Sequence, residues 1–278
     1  MLSQTLDAFG AMLRKNLLIM VRYPVNFISS FAQVFIIILI MLFASLSFIP
    51  GNVQNALASQ VGRGFSGAAI YGFVLFLFVS DTLWSVGYNI RWEQYEGTLE
   101  SLYLTPANRF LHLVSRLFFP IVWTGLNATA SLVFMRFIFG PLPLANPGLA
   151  LLVLALTLAG VFGFGFGFAA YTLIVKESAQ TVANMLQFGL MAVCAMFFPF
   201  SVLPAPVRAL SYAVPLSYGV DLFRSALMGF PPGYPELLPV STELVIVALW
   251  GLLMPALGYA AYRWAENHVR ANGTLAEF

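Results

Sequence analysis

The chain has 278 residues, of which 60% are hydrophobic and only 9% charged, and Phe alone contributes 27. An ordinary soluble domain carries roughly 25% charged residues. No soluble fold of this length could hide so much apolar surface, so lipid is the expected solvent for most of the chain. The net charge of +2 is too small to point to nucleic acid, and the single Cys194 excludes an intrachain disulfide.

At the start, Leu2, Leu6, Phe9, Leu13, Leu17 and Met20 recur at steps of three or four, opposite Gln4, Asp7, Arg14 and Lys15. Residues 1–26 are therefore expected to form an amphipathic cytoplasmic helix in the membrane interface, with its basic residues among headgroups. It should end at Tyr23-Pro24, because the residue before proline is pushed out of the α region. The charges scattered through this stretch, with no compact apolar core, argue against a cleavable signal.

A transmembrane region is expected over residues 27–262. Its spans are placed at about 27–49, 66–90, 110–139, 149–175, 181–200 and 243–262, each near the ~20 residues a bilayer requires. Pro50-Gly51-Asn52 breaks the first span, and Lys176-Glu177-Ser178 forms a tight polar turn between the fourth and fifth. Residues 201–241 hold seven of the 16 prolines, at 204, 206, 215, 231, 232, 235 and 239. None of the apolar pieces between them is long enough to cross. Short helices at 206–212 and 217–228, packed at or dipping into the interface on the outer side, would satisfy the backbone there. A polar cytoplasmic tail is expected over 263–278. The fold class is thus all-α integral membrane, with six transmembrane helices, an N-terminal amphipathic interfacial helix and short extracellular helices before the last span.

Orientation follows from the loop bases. With both termini cytoplasmic, that side receives nine: Arg14, Lys15, Arg22, Arg91, Arg109, Arg116, Lys176, Arg263 and Arg270. The other side receives four: Arg63, Arg136, Arg208 and Arg224. A multi-pass protein of the cytoplasmic membrane with both ends inside is the expectation.

Chemistry is conspicuous by its absence from the motifs. There is no G-x-x-x-x-G-K-[ST] phosphate loop, and neither Lys15 nor Lys176 follows a glycine. His112 and His268 are too few and too far apart for a His-pair metal site. No nucleophile elbow or HExxH helix occurs. No catalytic, cofactor-binding or metal-binding residue is therefore assigned.

The sharpest positive signal is the charged stretch 91–106. Gly97 suits a helix C-terminal cap, Thr98 an N-cap, and Thr105-Pro106 the start of a further helix. Glu93, Glu96 and Glu100 fall at helical steps, interleaved with Trp92, Tyr95, Leu99, Leu102 and Tyr103. A solvated acidic loop needs no such aromatics, whereas a docking surface for a soluble partner explains both sets.

Glu96-Gly97-Thr98-Leu99-Glu100-x-Leu102-x-x-Thr105-Pro106 resembles the first cytoplasmic loop of type-2 ABC transporter permeases, the membrane-spanning subunits of ABC exporters. A second match runs through Phe197-Phe198-Pro199-Phe200-x-x-Leu203-Pro204, Val214-Pro215-Leu216-Ser217-Tyr218 and Asp221-Leu222-x-Arg224. It looks like the family's fifth-span exit and the short helices before the last span. The resemblance implies a homodimeric or heterodimeric pair of permeases, set in membrane lipid, each resting on a separate ABC ATPase subunit that holds the ATP and Mg. Residues 98–104 would be the coupling helix, with Glu93, Glu96, Gly97, Thr98, Leu99, Glu100 and Leu102 in the docking surface. Lys176 and Glu177 would make the second cytoplasmic contact. The cargo would be a drug, a lipid-like amphiphile or a lipid-linked glycan. The rival readings are a secondary transporter or channel working without ATP, and a membrane-embedded enzyme. The first leaves the acidic aromatic loop unexplained, and the second has no catalytic constellation.

Inside the membrane, Asp81 is costly to insert, by about 2.5–3.5 kcal/mol, so a function is the default expectation. A structural role, pairing with Arg116, is preferred to contact with cargo, because no second mid-span acid extends it into a relay. Gly160, Gly163, Gly165 and Gly167 interleave with Phe162, Phe164, Phe166 and Phe168. Small residues let helices approach closely, so part of this face should pack on a neighbouring span rather than line an aromatic channel.

Overall fold

The computed structural model describes residues 24–47, 69–83, 121–133, 136–137, 143–174 and 179–271, together with Leu18 and Arg22. Eight helices lie in these stretches: α1 (Pro24–Ser47), α2 (Ala69–Leu83), α3 (Ile121–Val133), α4 (Pro147–Ile174), α5 (Ala179–Val193), α6 (Ala205–Ala213), α7 (Pro215–Met228) and α8 (Val240–Ala271). A 3-10 turn, Phe200–Val202, lies between α5 and α6. No strand occurs among the described residues. The segments Pro147–Leu173, of 27 residues, and Val240–Val269, of 30, are long and apolar enough to cross a membrane.

Helices α4 and α8 form the spine. A methyl group on Gly258 would overlap the carbonyl oxygen of Gly163, and one on Gly163 would overlap the backbone at Met254-Pro255. Further up, Gly160 meets the ring of Trp250, and Gly251 meets the carbonyl of Leu156. Residue numbers rise together along both helices, so α4 and α8 run parallel. Between helices in lipid there is no hydrophobic driving force, and close backbone approach supplies the attraction through dispersion. Below the glycines, Phe166 is fully buried, edge-on to Tyr259 and Tyr262. The Phe–Gly alternation is thus a helix-packing pattern, and its neighbour is the last helix. Gly167 faces open space, so the small residues are needed on one side of α4 only.

Two helix boundaries differ from the expected spans. The fifth helix was expected to reach Phe200, but α5 stops at Val193. There the Met196 N–H bonds the Met191 carbonyl at 3.2 Å and the Ala195 N–H bonds Ala192 at 3.3 Å. This is a Schellman ending, with Ala195 at φ 46° in the left-handed place that glycine usually fills. The last helix was expected to end near Tyr262, but α8 continues to Ala271. Tyr262, Ala265 and Val269 explain why: at steps of three and four they bury one stripe against Phe166, Ala169, Ala170 and Leu173 of α4. Residues 263–271 are proline-free and mostly good helix formers, so nothing local breaks the helix there.

Short helices occur where the prolines punctuate residues 201–241. Pro206 lies in the first turn of α6, and Pro215 begins α7, positions where the missing N–H has no helical partner to lose. Gly229, at φ 79°, ends α7 with a second Schellman motif, in which the Phe230 N–H bonds the Ser225 carbonyl at 2.9 Å. The end of α7 is then stitched to the approach of α4: Ala145 N–H donates to the Leu227 carbonyl at 3.0 Å, and Asn146 N–H to Ala226 at 3.1 Å. Tyr71, near the start of α2, donates its hydroxyl to the Pro143 carbonyl. The starts of α2, α4 and α8, the exit of α5, and helices α6 and α7 therefore gather at one end of the bundle. We call α6, α7 and the loop 229–239 the cap.

Candidate functional site: a buried ion network

Inside that end sits the densest polar cluster among the described residues. Helix α7 is buried along nearly its whole length, from Leu216 to Leu227, so whatever polar groups it carries must find partners in protein. Asp221 and Arg224 lie three residues apart on one face of it, both fully buried. The guanidinium is the hub. Its Nη2 donates to Glu236 Oε1 at 2.8 Å and lies 3.4 Å from Asp221 Oδ1. Its Nη1 donates to the carbonyls of Ala195 at 3.3 Å and Phe198 at 3.1 Å, the orphan acceptors at the exit of α5. The planar face lies 4.8 Å from the centre of the Phe200 ring and 5.7 Å from that of Tyr234.

Both carboxylates also hold backbone, Asp221 through its second oxygen and Glu236 through both. Asp221 Oδ2 accepts the N–H groups of Glu236 at 2.7 Å and Leu237 at 2.9 Å. Glu236 accepts the N–H of Phe200 at 3.1 Å and of Ser201 at 2.8 Å. In the first turn of α8, buried Glu243 reaches back to accept the Leu238 N–H at 3.0 Å. Two further bonds tighten the surround: the Ser211 hydroxyl donates to the Val193 carbonyl at 2.6 Å, and Tyr218 donates to Tyr212 at 2.7 Å.

Burial pushes the Asp221 carboxyl up from its ordinary value, and the Arg224 guanidinium and the Leu237 amide pull it back. Tyr234 is pushed up to about 12 by burial, so it stays a neutral phenol over the cation. The arrangement suits mechanical coupling rather than bond chemistry. One cation, held from several sides, fixes the exit of α5, helix α7 and the loop before α8 to each other. No group of three or more His, Cys, Asp or Glu that could hold a metal ion occurs among the described residues.

Asp221, Arg224, Phe198 and Phe200 were quoted only for the family resemblance, and no role in a network was expected of them. Glu236 and Glu243 were missed as partners. For Glu236 the signal was an acid set among prolines and leucines, a place where an unpaired carboxylate is too costly to leave. Asp81, on α2, is half-buried and accepts a hydrogen bond from the Thr124 hydroxyl of α3. Arg116, the partner expected for it, lies outside the described residues. So do Glu93, Glu96, Gly97, Thr98, Leu99, Glu100, Leu102, Lys176 and Glu177, and the interfacial segment 1–26 apart from Leu18 and Arg22, both exposed, and residues 24–26, which begin α1.

A family model described as ABC-2 type transporter matches residues 7–228, from within the amphipathic start to the end of α7. A comparison with curated proteins gave no match.

Proposed function

The chain belongs to the ABC-2 type transporter family, and from that premise we propose that it is the permease subunit of an ATP-driven exporter, powered by a separate ATPase. The observation that carries this reading is the family match over residues 7–228 on a sequence without a phosphate loop, whose described residues form helices and no strand. In this reading the energy source is a partner subunit. The acidic aromatic segment 91–106 is the surface we assign to it, with residues 98–104 as the coupling helix and Lys176-Glu177 as the second contact. The direction of α4 and α8 supports that assignment. Because they run parallel away from the cap, the described ends of α4, at Ile174, and of α8, at Ala271, lie on the same side. That side is read as cytoplasmic, with both termini on it. Arg224 withdraws from the basic residues counted on the other side, because it is consumed inside the network.

In this reading two permeases pair in the membrane, and closure of the two ATPases is carried by rigid helices to the cap. The spine of α4 and α8 is suited to that task, since backbone packed on backbone has little room to shear. Few charges in the spans favour an amphiphilic drug or lipid-like cargo, with a lipid-linked glycan as the second choice.

The test is reconstitution with a P-loop ATPase encoded beside this chain. The two should co-purify, and Glu96→Lys or Glu100→Lys should lower transport-coupled ATP hydrolysis without reducing membrane insertion. Transport by the purified permease with no ATPase present would overturn the reading in favour of an ATP-independent carrier.

A further inference from the structure

The cap and the exit of α5 meet along the backbone 195–201, and four hydrogen bonds tie that backbone to just two side chains. Arg224 holds the carbonyls of Ala195 and Phe198, and Glu236 holds the amides of Phe200 and Ser201. The same two side chains bond to each other at 2.8 Å. The inner half of this arrangement is dry, with Arg224 at 0% exposure, and it is also anchored by Asp221 on its own helix. The outer half is different. The Glu236 side chain is 10% exposed and Ser201 is exposed, so water can replace the bond that Glu236 accepts from Ser201.

We propose that Glu236 and Arg224 form a releasable clasp between the exit of α5 and the cap, opening at the Glu236 side when the two separate during transport. Arg224 is the fixed half, because it cannot leave without stranding Asp221 in an apolar interior. Glu236 is the half that yields, since on leaving, its carboxylate and the exposed Ser201 amide can turn to water. A packed apolar contact has no such alternative partner, and it would separate only by exposing hydrocarbon. The clasp thus sets a place where the outer end of the permease can part along a defined line. The backbone at that line is unusual too: Ala195, whose carbonyl Arg224 holds, is kept at φ 46°. A non-glycine residue persists there when its surroundings hold it.

Amide hydrogen exchange over residues 200–203 reports on the clasp directly. In the purified permease, Glu236→Gln keeps the side chain's volume but turns an NH2 toward donors. It should speed exchange in this segment by about tenfold, the factor that goes with one hydrogen bond, and leave α7 and α8 unchanged. No change in the segment, or an equal rise throughout the protein, would overturn the clasp. The second arm uses the wild-type permease with its ATPase, and rests on the function proposed above. Exchange over 200–203 should rise during ATP turnover relative to the nucleotide-free complex. Unchanged exchange while ATP is hydrolysed and cargo moves would refute release during transport. If no ATPase engages the permease at all, it is the proposed function that fails, and the first arm still decides whether the clasp exists.

Discussion

Two regions of this molecule are held together by opposite means. The α4–α8 spine is apolar, and its contacts come from the absence of side chains at Gly160, Gly163, Gly251 and Gly258. The network around Arg224 is polar, and its contacts come from long charged side chains that span gaps between segments. The spine works by shape, with backbone set against backbone at Gly163, Gly251 and Gly258. The network works by pairing, and at its edge water can substitute. A rigid lever and a parting line are what these two kinds of contact respectively make well.

The largest effect should come from leaving the network's charges without their hub. Arg224→Met strands Asp221 inside protein and leaves Glu236 without its cation, and should cost about 3–5 kcal/mol. A sharp drop in the thermal unfolding temperature of the detergent-purified chain is the readout. Neutralising all three, as Arg224→Met with Asp221→Asn and Glu236→Gln, should recover part of that loss. A triple variant no better than the single one would mean that the arginine acts by packing, and the contrast with the spine would collapse.

Next comes overpacking of the spine. Gly258→Leu forces a side chain into the Gly163 carbonyl and should destabilise by about 1–3 kcal/mol. Gly167→Leu, on the open side of α4, should stay within about 0.5 kcal/mol. Equal losses in the two variants would show that glycine content, not the α8 contact, is what matters.

The smallest effect lies away from both regions. Thr124→Val removes the donor to Asp81 and should cost roughly 1 kcal/mol, while Asp81→Asn keeps an acceptor for Thr124 and should cost less. The same unfolding measurement ranks them. If Asp81→Asn proves the more damaging, the charge of Asp81 has a partner beyond Thr124.

Much of the spine was legible in the sequence. Glycines at short helical spacing within an apolar run say that a helix is approached closely, and the alternating phenylalanines say that the approach is packed. The identity of the partner was not legible, because nothing local to residues 160–167 names Trp250 or Gly258. The length of α8 was misjudged because polar residues 263–271 look like a tail until Tyr262, Ala265 and Val269 are seen as one stripe. The end of α5 was misjudged because a left-handed terminal residue is expected to be glycine, and here it is Ala195.

By itself the sequence determined the solvent, the absence of an ATP cradle and the short proline-bounded helices before α8, since each rests on composition or on a local backbone rule. Tertiary structure alone decided that the exit of α5, helix α7 and the loop before α8 share one cation. A buried guanidinium takes whatever oxygens the fold brings within reach, and the carbonyls of Ala195 and Phe198 and the carboxylate of Glu236 lie far from Arg224 along the chain. Only the closed structure makes them neighbours.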